Sequence, residues 1–426
     1  MEGLLEYDSL LSGRHGKLYQ IGRVIGQTGE AEYYDVLSDG MHYTLKCYYS
    51  MTASTDQLER LQYLLEIDPP SVSFLWPIDL ISIDSHHFAY VMKSLTDDYE
   101  PLLTYTKERN LSFSDRCLTA FHLSQAFYDL HQLNLYYEDI SLDQIYVNKK
   151  EGRVSLDSVD HLYTGVIPMR NLHSSLRLKA PELLAGRSCP CVESDRYTLS
   201  VLIFYLFVGH HPLEGKMEEG QELLEYENLL EFYMNSAVYM FDEENMVNRP
   251  CRRNQLQIYS AWKSMPSILK ERLNHSFLHG RILPAGRIRD EEWMDLMGSL
   301  LNHTISCPHC QSELYYQNSL AYHCPHCQAK ITPYPSLRIG SEEILLSPFR
   351  KIYEHSVRKN YHLDSVMATV VQHPRNPRLW GIRNDSDRSW IYYKPNGEAI
   401  EVKPAQSAGI ATGAEIGFQD LIGRIL

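Results

Sequence analysis

The sequence predicts an α+β protein with two lobes, a cysteine-bearing segment and a β-rich tail. Three observations lead there. Short strand-like runs fill residues 17–50 and 74–92 around one helical stripe. From Ser112 to about residue 300 the apolar spacing turns helical, so a small β-rich lobe precedes a larger helical one. Two Cys-x2-Cys pairs then stand before a stretch of alternating, turn-punctuated runs.

Each element has a local cause. Ser38-Asp39-Gly40 supplies a turn between strand-like runs. The spacing of Leu58, Leu61, Leu64 and Leu65 predicts a helix over 55–67, with Ser54, Thr55 and Asp56 as N-cap choices and Pro69-Pro70 as its stop. Strands are expected at Phe74 to Ile83 and His87 to Met92. Leu118, Phe121, Leu123, Ala126, Phe127 and Leu130 predict a helix over about 113–132, and another runs from about Asp195 to Val208. Pro333-Tyr334-Pro335 marks a boundary, so the expected domains are 1–300, 301–332 and 333–426.

Composition narrows the function classes. A chain of 426 residues is long enough for two or three domains, and 44% hydrophobic with 22% charged residues is globular. The net charge of −14 shows no basic surplus, so nucleic acid is not an expected partner. The acid-rich stretch Glu214 to Glu244 reads as a solvated helical face. Met1 to Gly16 lacks a signal-peptide pattern, and the apolar run Leu199 to Val208 is too short to span a bilayer. With nine cysteines, four in a metal-ligand pattern, a reducing cytoplasmic location is expected.

The most specific signal is a pair of acids. Asp139 and Asp157 stand 18 residues apart (157 − 139 = 18), with Gln144 13 residues before the second (157 − 144 = 13). Phosphoryl transfer needs two acids with separate tasks, one to take the hydroxyl proton and one to hold magnesium against nucleotide phosphates. The segments Tyr137-Glu138-Asp139 to Gln144 and Val154-Ser155-Leu156-Asp157 resemble the catalytic loop and metal-binding strand of protein kinases. Further parts follow in kinase order: Gly26, Thr28 and Gly29 of a phosphate-covering loop, Lys46 on a strand, Met92 and Lys93 at the gatekeeper and hinge, and Ala180-Pro181-Glu182 with Arg287 as its ionic partner. Asp195 opens the helix expected to support the catalytic loop.

Phe241-Asp242, Asn248-Arg249-Pro250, Trp262, Phe277 and Glu292-Trp293 resemble a bacterial branch of eukaryotic-like serine/threonine kinases, many with a C-terminal zinc ribbon. The resemblance covers about 17–300 and implies a bilobal kinase-like fold. It implies that Lys46, oriented by Glu59 with Glu66 in reserve, holds the ATP phosphates. It implies Asp139 as base and Asp157 with Gln144 as ligands of Mg²⁺ or Mn²⁺. A protein substrate is implied, and the branch suggests a partner phosphatase and a von Willebrand-type protein.

The chain departs from that pattern. Thr28 and Ala31 replace loop glycines, which would let backbone approach phosphate without a Cβ. Tyr137 and Glu138 replace the histidine and arginine before the acid, Ser141 replaces the lysine after it, and Ser158 and Val159 follow Asp157. A slow or specialised kinase is therefore expected, with a pseudokinase scaffold as the alternative. Glu138 would repel a phosphate on the activation segment, so alanine at Thr164, Ser174 and Ser175 should leave activity nearly unchanged.

Cys307-x2-Cys310 and Cys324-x2-Cys327 enclose 13 residues, 311 to 323. Two thiolates on each of two turns can share one tetrahedral Zn²⁺ with no open position, which predicts a structural zinc ribbon. Its two strands would meet at Gln317-Asn318-Ser319. The tail's Trp390-Ile391-Tyr392-Tyr393, Pro395-Asn396-Gly397 and Gly413 to Phe418 suggest a sandwich, and the closing pattern faintly resembles a forkhead-associated domain.

Overall fold

Tight turns set the first sheet. The computed structural model describes residues 3–84, 87–107, 111–165, 176–219, 226–251, 256–316 and 322–426. Strands β1 (Leu10–Ser12), β2 (Leu18–Gln27), β3 (Ala31–Ser38), β4 (Met41–Tyr48), β5 (Asp79–Ser82) and β6 (Phe88–Lys93) form one antiparallel sheet, ordered β1-β2-β3-β4-β6-β5. Asp39 and Gly40 both adopt left-handed backbone (φ 51° and 75°), the twist that a two-residue hairpin needs. The resulting register sets Tyr33 opposite Lys46, so both side chains share one face.

Helix α1 (Thr55–Leu65) starts where the Ser54 hydroxyl accepts from the Gln57 amide at 3.2 Å. Its buried face is Gln57, Arg60, Leu61 and Leu64, and Leu58 and Leu65 of the expected leucine stripe pack half-buried against the same core. Trp76 closes its far end by donating from Nε1 to the Leu64 carbonyl at 3.0 Å.

The helical part frames the two acids. Helix α2 spans Phe113–Gln132 and helix α3 spans Val192–Val208. Nearly all of α3 is buried, and it ends at Gly209, whose φ of 76° closes the helix with a bond to the Tyr205 carbonyl. Asp195 in its first turn accepts from the Tyr137 amide at 3.2 Å and pairs with His131 at 3.2 Å. That contact fixes the segment leading to Asp139. Strands β7 (Ile145–Asn148) and β8 (Val154–Leu156) then pair with Ile145 opposite Leu156. Leu156 also accepts from the Leu75 amide at 2.9 Å, so Asp157 leaves a strand bonded on both sides.

The chain forms two compact units, 1–109 with 126–261 and 271–288, and 110–125 with 262–270 and 289–426. The expected boundary at residue 300 falls inside helix α4 (Asp290–Asn302), which belongs to the second unit. There Arg350 caps α4 by donating to the carbonyls of Leu301 and Thr304. Strands β9 (Thr304–Ser306) and β10 (Glu313–Tyr315) form a hairpin. The tail contains a six-stranded and a four-stranded antiparallel sheet around one apolar core that includes Leu337, Val370, Ile382, Trp390 and Ile416. Among the described residues, no helix is long and apolar enough to cross a membrane.

Candidate functional site

A cleft of about 1140 Å³ lies in the first unit. Gly26, Thr28, Gly29, Lys46, Met92, Lys93, Asp139, Gln144 and Asp157 all line it. Glu59 does not. It sits on the exposed face of α1, and Glu66 at the helix end pairs with Arg14 instead.

The partner of Lys46 is Asp160. The ammonium lies 2.8 Å from Asp160 Oδ2, with the two side chains 1% and 0% exposed. Tyr48 donates to the same oxygen at 2.6 Å, and Gln57 reaches it at 3.4 Å. The rings of Tyr33, Tyr48 and Tyr90 surround the ammonium at 5.4 to 5.9 Å. Burial works against the charge on Lys46, but the Asp160 carboxylate outweighs it and holds the pKa well above the usual lysine range. Burial likewise pushes Asp160 up, and the Lys46 and His161 cations pull it well below the usual carboxylate range. A buried ammonium needs a close anion, and Glu59 points to water.

His161 ties down the loop between β2 and β3 through Glu30. Its Nε2 is 3.1 Å from Glu30 Oε2 and 3.7 Å from Asp160 Oδ2. Burial lowers the His161 pKa, but Asp160 and Glu30 raise it further, so the net shift is upward. Glu30, Asp160 and His161 are spaced closely enough for a metal, but Lys46 already supplies the cation. The loop tip is closed by Thr28, whose amide donates to the Ala31 carbonyl at 2.9 Å and whose hydroxyl accepts from the Ala31 amide at 3.2 Å. A Cβ on Gly29 would meet nothing within 4 Å.

Glu138 is held by an ion pair. It forms a two-pronged pair with Arg60 of α1 at 2.8 and 2.9 Å, with side chains 1% and 0% exposed. Its charge is paired with Arg60 inside the fold. Ser174 and Ser175 lie outside the described residues.

The acids differ in environment. Asp157 is 2% exposed, and burial drives its pKa up against the opposing pull of Lys46. Its Oδ1 has no hydrogen-bond partner among the described residues, the mark of a site that fits a cation. Gln144 keeps its amide oxygen on the Ser141 amide and hydroxyl, both at 3.1 Å. A carbonyl oxygen has two lone pairs, and both are engaged here, so Gln144 must release a Ser141 bond before it can meet a metal. Arg287 meets Glu182 at 2.6 and 2.8 Å. Glu214, in the stretch read as a solvated face, is buried against Arg177 at 2.8 Å.

In the second unit, the Sγ atoms of Cys307, Cys310, Cys324 and Cys327 all lie within 4.8 Å of one another. The Cys307–Cys327 and Cys310–Cys324 separations are both 3.7 Å. A tetrahedron with zinc–sulfur bonds of about 2.3 Å has edges of about 3.8 Å, so the donor set fits zinc. Both knuckles repeat one geometry: Gln311 and Gln328 are left-handed (φ 62° and 60°), and each amide donates 2.9 Å to the first cysteine's carbonyl. The expected ribbon turn, 317–319, lies outside the described residues.

No known family profile matches the chain. Serine/threonine-protein kinase 40 of Mus musculus, Rattus norvegicus and Homo sapiens is 25% identical to it over 109 residues. That match spans 25% of this chain and 25% of each relative's own length. Among solved structures, the autoinhibited serine kinase domain of the giant muscle protein titin aligns at 15% identity with a TM-score of 0.49. That alignment covers 66% of this chain and 81% of the titin domain. The chain thus has a weak sequence similarity to serine/threonine kinases, confined to a quarter of its length.

Glu30 and His161, which line the cleft, and Asp160 and Arg60, which pair with Lys46 and Glu138, are given no role by the sequence reading. Signals for three of them exist. Gln57, Arg60, Leu61 and Leu64 share one helical face at i, i+3, i+4 and i+7, and Asp160-His161 follows Asp157 within four residues (161 − 157 = 4).

Proposed function

We propose that this protein is a divergent serine/threonine protein kinase that transfers the γ-phosphate of MgATP to a protein hydroxyl. The carrying observation is that Lys46, Asp139 and Asp157 line one cleft large enough for a nucleotide, about 1140 Å³. Lys46 would meet the α- and β-phosphates, and Asp139 would take the hydroxyl proton. Asp157 and Gln144 would hold Mg²⁺, which supplies charge neutralisation at the phosphates when bound. The unpartnered Oδ1 of Asp157 supports that ligand role. Gly26, Thr28, Gly29, Met92 and Lys93 would shape the nucleotide pocket.

The reading carries further parts: two lobes, a structural zinc on the four cysteines, a separate tail, a cytoplasmic location and a protein substrate. A partner phosphatase and a von Willebrand-type protein follow from the branch resemblance alone.

One observation favours the scaffold alternative. Lys46 is already neutralised by Asp160, so a triphosphate must compete with a carboxylate 2.8 Å away. Incubation with γ-labelled ATP and Mg²⁺ or Mn²⁺ separates the two. Label on the wild type that vanishes in Asp139→Asn and Asp157→Asn means an enzyme. A nucleotide-dependent rise in melting temperature without label means a scaffold.

A further inference from the structure

Two residues past Asp139 stands Ser141, so the loop itself offers the acid no cation. The fold brings one from elsewhere. Lys179 Nζ lies 3.8 Å from Asp139 Oδ1, and the side chains are 15% and 8% exposed. The lysine is 40 residues further along the chain (179 − 139 = 40).

Its backbone is held on both sides. Leu178 and Ala180 are 2% and 0% exposed, and the Leu178 carbonyl accepts from the Thr198 hydroxyl of α3 at 2.8 Å. Three residues on, Glu182 is clamped by Arg287. The ammonium is therefore delivered to the acid from fixed anchors. An exposed ion pair contributes little, but here both partners are largely withdrawn from water and salt. Lys46, the buried ammonium that lines the cleft, is committed to Asp160.

We propose that Lys179 is a positioning residue for Asp139. It holds the carboxylate toward the incoming hydroxyl and offsets the repulsion between that carboxylate and the phosphoryl group. This rests on the phosphoryl-transfer reading above. In that step the hydroxyl oxygen bonds to the γ-phosphorus as the bond to the β,γ-bridging oxygen breaks. The electron pair leaves with ADP, the proton passes to Asp139, and no bond to Lys179 changes. A preorganised charge beside a transition state of this kind is worth about a hundredfold in rate.

The test compares full-length wild type, Lys179→Met and Lys179→Arg in steady-state transfer of labelled phosphate. The expected result is a kcat about a hundredfold lower for Lys179→Met, with KM for ATP within about twofold. Lys179→Arg should recover about tenfold of the loss, because it restores the cation but not its position. Melting curves accompany each variant. A Lys179→Met kcat within about threefold of wild type overturns the proposal. So does an arginine variant as impaired as the methionine variant, which marks a purely structural tie. Wild type that transfers no label overturns the phosphoryl-transfer reading itself, and this proposal with it.

Discussion

The four-cysteine cluster and the Lys46 cleft both rest on side chains brought together by the fold, yet they were unequally readable. The cysteine knuckles are local: Cys307 and Cys327 are 20 residues apart, and each pair sits on one tight turn. The cleft is not. Lys46 and Asp160 are 114 residues apart, and Arg60 and Glu138 are 78 apart. Where spacing alone fixes geometry, the residues announce the site. Where two distant segments must meet, several acids compete for one cation, and only burial decides among them.

The largest effect should come from the local site. Purified protein is expected to hold about one zinc per chain, and Cys324→Ser should lose it. Structural zinc contributes on the order of 10 kcal/mol, so the second unit should melt early or fail to fold. Metal analysis with differential scanning calorimetry reads both, and a variant that keeps metal and melting temperature would break the contrast at its local end.

The distant pairs come next. Arg60→Met leaves Glu138 buried without a partner and should cost about 3–5 kcal/mol in denaturant unfolding. Arg60→Met with Glu138→Leu should recover most of that loss. Glu59→Ala, on the exposed face, should stay within about 0.5 kcal/mol of wild type. Equal losses at Glu59 and Arg60 would restore the partner expected from sequence.

The smallest effect sharpens the comparison through pH. His161 has a raised folded pKa, so its tie to Glu30 is fully present below the ordinary histidine value and is lost as pH rises through the raised one. Zinc thiolates behave the other way and release metal as pH falls. Amide exchange at Thr28 to Ala31 should therefore accelerate with rising pH more in wild type than in His161→Gln. Matched profiles for the two proteins would remove the clamp.

Much of the scaffold was legible for ordinary reasons. The Asp39-Gly40 turn, the Ser54 cap and the helix at Phe113–Gln132 follow from residues within a few positions of one another. The two acids and Gln144 were found by spacing, since strands β7 and β8 between them fix their separation. What escaped were charges buried by tertiary contact. Counting apolar residues on α1 found Leu58, Leu61, Leu64 and Leu65, all of which pack, but not Gln57 and Arg60, which are buried beside them. An arginine enters such a face only because Glu138 waits opposite, and no local pattern contains that fact. Glu214 escaped for the same reason, its charge answered by Arg177.

The proposal that this cleft holds a magnesium nucleotide is tested most directly by isothermal titration of ATP into wild type, Lys46→Met and Asp157→Asn, with and without Mg²⁺. One Mg²⁺-dependent site in wild type, weakened at least about tenfold in both variants, is the expected result. Heat of binding that is the same in all three proteins, or absent from wild type, would contradict it.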